Sequence, residues 1–174
     1  MSRLSLVSSV LFRFSFTATL ILASGCGYSF GSRIPEDIKT VRVDAAGRWP
    51  LAARGLEFDL TGAVATEVNR RYGVSVVRDA PPAYADAALE MEITAYSTSA
   101  AGSLLSKIED ATLSVEVAVK VKRRKPDGSE ENLFDGKVTR REPYSPSRGE
   151  TESGARARAV KSLAGKIADC LSAW

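Results

Sequence analysis

Leu113-Ser-Val-Glu-Val-Ala-Val-Lys-Val121 alternates without interruption, with Leu113, Val115, Val117, Val119 and Val121 on one side and Ser114, Glu116 and Lys120 on the other, continued by Lys122. A period of two in β-branched residues predicts a strand with one buried and one wet face. Leu89, Met91, Ile93 and Ala95 repeat the pattern upstream against Glu90, Glu92 and Thr94, and Phe134, Gly136 and Val138 resume it downstream of a Pro126-Asp127-Gly128 turn. A loop from Pro126 to Ser129 sets a register: Val121 opposite Phe134, Val119 opposite Gly136 and Val117 opposite Val138. All apolar positions then share one face. The same register places Lys120 opposite Asp135 and Lys125 opposite Glu130, opposite charges that favour it by roughly a few tenths of a kcal/mol each.

Working outward, the stretch from Lys39 to Val43 alternates as a first strand, and Ala45 to Trp49 reads as a loop. Pro50 suits a helix's first turn, and Leu56, Leu60, Val64, Val68 and Tyr72 then recur at i+4 until Gly73, a C-cap candidate. Gly62 inside that helix points to a close helix–sheet contact, since it costs about 1 kcal/mol relative to alanine. Val74 to Val77 reads as a short strand or a strand continuation, and Arg78 to Tyr84 as a connector. Glu142 to Gly149 reads as a polar loop. Val160, Leu163, Ala164, Ile167 and Leu171 then form one stripe of a closing helix, with Ser147 and Glu150 at capping-box spacing before it. The expected fold is therefore α+β: a two-layer sandwich of two helices on one face of a mainly antiparallel sheet of about four strands, in the order strand, helix, strands, helix.

The composition narrows the chemistry. The chain has 174 residues, 44% apolar and 26% charged, enough for one domain with a real core. Neither an internal repeat nor a second domain is visible. There is no histidine, and there are only two cysteines, which excludes Ser/His and Cys/His catalysis, His-ligated zinc and a disulfide framework. No Ser-x-x-Lys, phosphate-binding glycine loop, paired carboxylates or metal-ligand cluster stands out, so neither an enzyme nor a cofactor nor a metal is expected.

Residues 1–25 read as an address. Arg3 and Arg13 precede an uncharged run from Phe14 to Ser24 (FSFTATLILAS), far short of the roughly 20 residues that span a bilayer. Ala23-Ser24-Gly25-Cys26 follows, small residues before a cysteine as a lipoprotein signal peptidase reads them. Cleavage between Gly25 and Cys26 would leave Cys26 to carry acyl chains, each buried CH₂ contributing about 0.8 kcal/mol to anchoring. Gly27 after the cysteine favours the outer membrane. The expected organisation is a signal peptide over 1–25, a lipidated start and tether over 26–36, and one domain over 37–174. Without Arg3 and Arg13 the formal charge falls from +3 to +1, too near neutral for a nucleic-acid binder.

Two surface features invite a functional reading. Lys120, Lys122, Arg123, Arg124 and Lys125, with Lys137, Arg140 and Arg141 on the next strand, are either an anion site for lipid headgroups or glycolipid phosphates or a solvated sheet face partly neutralised by Asp135, Glu130, Glu90 and Glu92. Leu104, Leu105 and Ile108 lie between two strong strands, where they either meet a partner or fold back on the core. Cys170, beside the last helix's stripe, reads as a buried free thiol.

In ordered combination the motifs resemble a family. Cys26-Gly27-Tyr28-Ser29-Phe30, the run from Ile34 to Val43, Gly55-Leu56-Glu57 with Leu60-Thr61 and Ala63-Val64, the run from Ala85 to Glu90, and Ala159-Val160 with Leu163-Ala164 are similar to the LptE family of lipopolysaccharide-assembly lipoproteins. The resemblance covers essentially residues 26–171. It implies a non-enzymatic lipoprotein on the periplasmic face of the outer membrane, held there by Cys26. Its partners would be an LptD-like outer-membrane β-barrel, which it plugs and helps assemble, and lipopolysaccharide. The rival expectation is a periplasm-facing lipoprotein that binds and regulates a cell-wall synthase.

Overall fold

β4, Asp110–Arg124, is the spine of the domain, flanked by β3, Ala87–Ala101, and β5, Glu130–Tyr144, each 15 residues long. At about 3.4 Å per residue these strands are about 50 Å long. The computed structural model describes residues 34–45, 50–78, 80–101 and 110–172, all within the compact unit Ser32–Trp174. Cys26 and the apolar trio Leu104, Leu105 and Ile108 lie outside them.

β1, Thr40–Ala45, runs parallel to β3, and β2, Ser75–Val77, runs parallel to β1 on its other side. The sheet therefore has five strands in the order β2-β1-β3-β4-β5, with the long β3-β4-β5 ladders antiparallel. Val74 to Val77 thus supplies a separate edge strand, reached through helix α1, Leu56–Tyr72, since parallel neighbours need a crossover connection. Asp86 fixes where β1 begins: one carboxylate oxygen accepts the Lys39 and Thr40 amides, both at 2.9 Å.

Both helices cover one face. In α1, Leu56, Leu60, Val64 and Val68 are fully buried, and Gly73 ends the helix in the left-handed conformation at φ 66°. The other stripe belongs to α2, Glu152–Asp169, which buries Val160, Leu163, Ala164 and Ile167, with Leu171 buried just beyond. The helices are tied where the Tyr72 hydroxyl donates to the Ala168 carbonyl at 2.9 Å and Arg71 pairs with Asp169. Pro50 precedes a short 3₁₀ turn, Leu51–Ala53, and Gly55 in the left-handed conformation separates that turn from α1. The tight helical glycine is not Gly62, where an added Cβ would meet nothing nearer than the Arg78 guanidinium at 3.9 Å. At Gly165 the same atom would lie 2.9 Å from the Arg71 guanidinium.

The register expected from the turn holds through the hairpin's body: Val117 faces Val138, Val119 faces Gly136, Lys120 faces Asp135 and Val121 faces Phe134. Nearer the turn it shifts. The loop has three residues, Lys125 bonding Ser129 through its amide and accepting from Gly128, which sits at φ 85°. A three-residue loop that ends on a left-handed glycine is a common hairpin connection. A bulge after Val121 absorbs the difference, so Glu130 faces Arg124 and not Lys125.

A second bulge, between Ile93 and Ala95, turns Ala95 to the open face and brings Tyr96 to the helix side. Both ends of the long hairpin also run further than the alternation suggested, through Ser99 to Ala101 and from Asp110. β5 continues through Glu142-Pro143-Tyr144, so this stretch is strand and not loop. The start of α2 is capped by Thr151, whose hydroxyl accepts the Gly154 amide at 3.1 Å. Ser147 lies in a preceding 3₁₀ turn, and Glu150 accepts the Ser145 amide at 2.7 Å.

Candidate functional site

Alternation gives β3, β4 and β5 one face without a helical cover among the described residues, and the charges gather there. Lys120 pairs with Asp135 at 3.6 Å, Lys122 with Glu90 at 3.0 Å and Glu130 at 3.7 Å, and Lys137 with Glu116 at 2.9 Å. Arg42 of β1 extends the array, 2.6 Å from Asp44 and 4.0 Å from Glu90. The Glu90 hydrogen bond raises the pKa of Lys122, and the hydrogen bonds of Lys137 and then Thr94 lower that of Glu116. The open face is thus a mosaic of alternating signs.

The basic cluster does not stay together. Lys120, Lys122, Arg124 and Lys137 lie on the open face. Arg123 and Arg140 fall on the helix side at opposite ends of the sheet, and Lys125 sits at the turn. Arg123 pairs with Asp37, Lys125 with Glu131 at 3.7 Å and Arg140 with Glu142 at 2.6 Å. Arg124 and Arg141 are the strand cations with no ion pair among the described residues. The pairs on the open face contribute about 0–1 kcal/mol each, so an incoming phosphate could exchange with their carboxylates at small cost.

The charge that is buried was missed by sequence reasoning. Glu142, 6% exposed, accepts both Arg140 nitrogens at 3.0 and 2.6 Å and Arg158 of α2 at 2.7 Å. The Arg158 bond, reinforced by Arg140, holds its carboxyl below the ordinary range against the opposing effect of burial. The only signal for it was parity: Gly136, Val138, Arg140, Glu142 and Tyr144 continue one face, and a polar residue there must bring its own partners.

Two grooves open beside the helices. One, of about 560 Å³, lies among Ile34, Ile38, Arg71, Tyr72 and Val74. The other, of about 650 Å³, is lined by Ala52, Asp59, Tyr96, Glu152, Arg156 and Val160. In it the Tyr96 hydroxyl donates to Glu152 at 2.7 Å, and burial followed by this bond pushes the phenol up to about 12. Leu51 and Phe58, next in sequence to two lining residues, are exposed. Cys170 is a buried free thiol, raised in pKa by burial. Among the described residues no cluster has the makings of a metal site, and no helix is long and apolar enough to cross a membrane.

No protein-family model and no curated protein matches the sequence. The fold does have solved counterparts. The Chlamydia trachomatis protein CT253 aligns with a TM-score of 0.53 at 10% identity, covering 79% of this chain and 99% of that one. A Caulobacter crescentus protein described as a lipoprotein gives 0.50 at 14%, covering 77% and 88%. The PelC dodecamer of Paraburkholderia phytofirmans gives 0.50 at 14%, covering 83% and 96%. At such identities the likeness is one of fold, a two-helix, mixed-sheet α+β sandwich.

Proposed function

We propose that the chain is an outer-membrane lipoprotein of the lipopolysaccharide transport machinery, anchored by acylated Cys26, which plugs and supports an LptD-like β-barrel. The observation that carries this reading is the open face of the sheet. It presents ion-paired Lys120–Asp135, Lys122–Glu90 and Lys137–Glu116 to its surroundings and no apolar stripe. A large outer-membrane barrel has a polar interior, and a mosaic of rearrangeable ion pairs is a surface such a lumen accommodates without desolvating unpaired charge. The lipidation sequence and the order of the family's motifs support the same reading, as does a fold shared with a protein described as a lipoprotein. The role is binding and assembly, not catalysis. Lipopolysaccharide phosphates would meet Lys120, Lys122 and Arg124.

The test is co-purification from detergent-solubilised outer membrane. A large β-barrel captured with the wild-type chain, together with loss of the chain itself from the membrane fraction on Cys26→Ser, supports the proposal. Capture of a peptidoglycan synthase in its place overturns it, as does a mature N-terminus other than Cys26.

A further inference from the structure

Among the described residues the sheet ends on two unlike edges. β2 offers three residues, too few to template another strand, whereas β5 offers fifteen. Within β5 one regular segment, residues 134–142, is bracketed by the bulge at Leu133 and by Pro143. The Lys166 ammonium donates to the Thr139 carbonyl at 3.4 Å, which places that carbonyl on the edge away from β4. Ladder alternation gives Asp135, Lys137 and Arg141 the same direction. Pro143 shares this parity, so its missing N–H also faces outward, as expected of an edge-strand proline.

The charges of this segment are arranged head against tail. Asp135 lies near its start and Arg141 near its end, with Val138 at the midpoint. Along one row of the open face the sign alternates from strand to strand, Glu90 facing Lys120 and Lys120 facing Asp135. The next strand in that row should present a cation. Arg141 is exposed, with no ion pair among the described residues, and an antiparallel copy of β5 turned about Val138 brings Arg141 there.

We propose that β5 pairs antiparallel with β5 of a second copy of this chain about a two-fold axis at Val138. Asp135 of each copy stands opposite Arg141 of the other, and Lys137 opposite Thr139. Such an interface is self-complementary, each contact occurring twice. Asp135–Arg141 and Lys137–Thr139 are the pairs that exchange backbone bonds, with Lys166 releasing the Thr139 carbonyl to the other copy's Lys137 amide. Val138 meets Val138 across the axis at the closer, non-bonded spacing of about 4.5 Å between Cα atoms. The proposal does not rest on the barrel reading, although Asp135 and Lys137 stand on the open face as well as at the edge.

Sedimentation of the full chain in detergent at micromolar and higher concentration tests it, with two charge variants. Wild type should sediment as a dimer. Asp135→Lys and Arg141→Asp each place like charges opposite one another and should weaken association at least tenfold, while an equimolar mixture of the two restores it, because lysine then faces aspartate. A monomeric wild type, variants that associate as wild type does, or a mixture that stays monomeric overturns the proposal. Val138→Cys provides a check that leaves the charges intact: mild oxidation should give a covalent dimer, whereas Thr139→Cys, which has no symmetric neighbour, should not. Equal cross-linking of the two cysteine variants overturns the register.

Discussion

The two faces of β4 come from one run of sequence yet answer to different physics. On the helix side Val115, Val117, Val119 and Val121 are 0% exposed and belong to the core under the helical layer. On the other side Glu116, Lys120 and Lys122 hold partners at 2.9–3.7 Å in contact with water. Burial of a valine contributes about 1.5–3 kcal/mol, whereas an exposed ion pair contributes about 0–1. The helix side therefore supplies stability, and the open side is free to be specified by whatever it meets.

The most severe way to break this division is Val117→Asp. An unpaired carboxylate in the core between the two layers should cost several kcal/mol, about 4 or more, enough to unfold a marginal domain. Loss of the cooperative urea transition at neutral pH would show it, and a variant that melts like wild type would contradict the assigned face. Glu142→Ala sharpens the comparison, because Glu142 is a charge on the buried side. Removing the group that holds Arg140 and Arg158 should cost about 2 kcal/mol, read from the urea midpoint.

Acid should act on the same kind of group. Glu142 is lowered by its arginines, and Glu67 is lowered to about 2 by the Arg70 and then the Arg71 hydrogen bond. A carboxylate with a depressed folded-state pKa adds stability above its unfolded value, near 4.5, and that stability is lost as the pH falls through the folded value. The melting temperature should therefore stay flat from pH 7 to pH 5 and fall between about pH 4.5 and pH 2. Glu67→Gln should shrink the acid-induced fall. The smallest effect belongs to the open face: Glu116→Gln should leave the thermal melt unchanged within error, and a clear drop would mean that this face carries structural weight.

Much of this was legible in the sequence because its determinants are local. Period-two alternation over Leu113 to Val121 and i+4 recurrence over Leu56 to Tyr72 each depend on residues a few positions apart, and they placed the β4 and α1 faces correctly. The positions that escaped depend on one-residue insertions and distant partners. Thr94 and Leu133 look like ordinary strand residues, yet the bulges at them send Ala95 outward and move Glu130 from Lys125 to Arg124. Glu142 looked like the start of a loop because Arg158, which makes its burial tolerable, comes 16 positions later from another element.

The candidate site divides in the same way. The richness of β4 and β5 in cations, and the pairing of Lys120 with Asp135, followed from composition and turn geometry. That Arg123 and Arg140 leave the open face, that Asp37 and Glu142 take them, and that β2 closes one edge while β5 leaves the other free were decided by tertiary structure. Side-chain alternation along a strand is fixed by covalent geometry and can be read from any short window. Strand order and ion partners depend on which segments meet after the chain has folded back, and no local pattern encodes that.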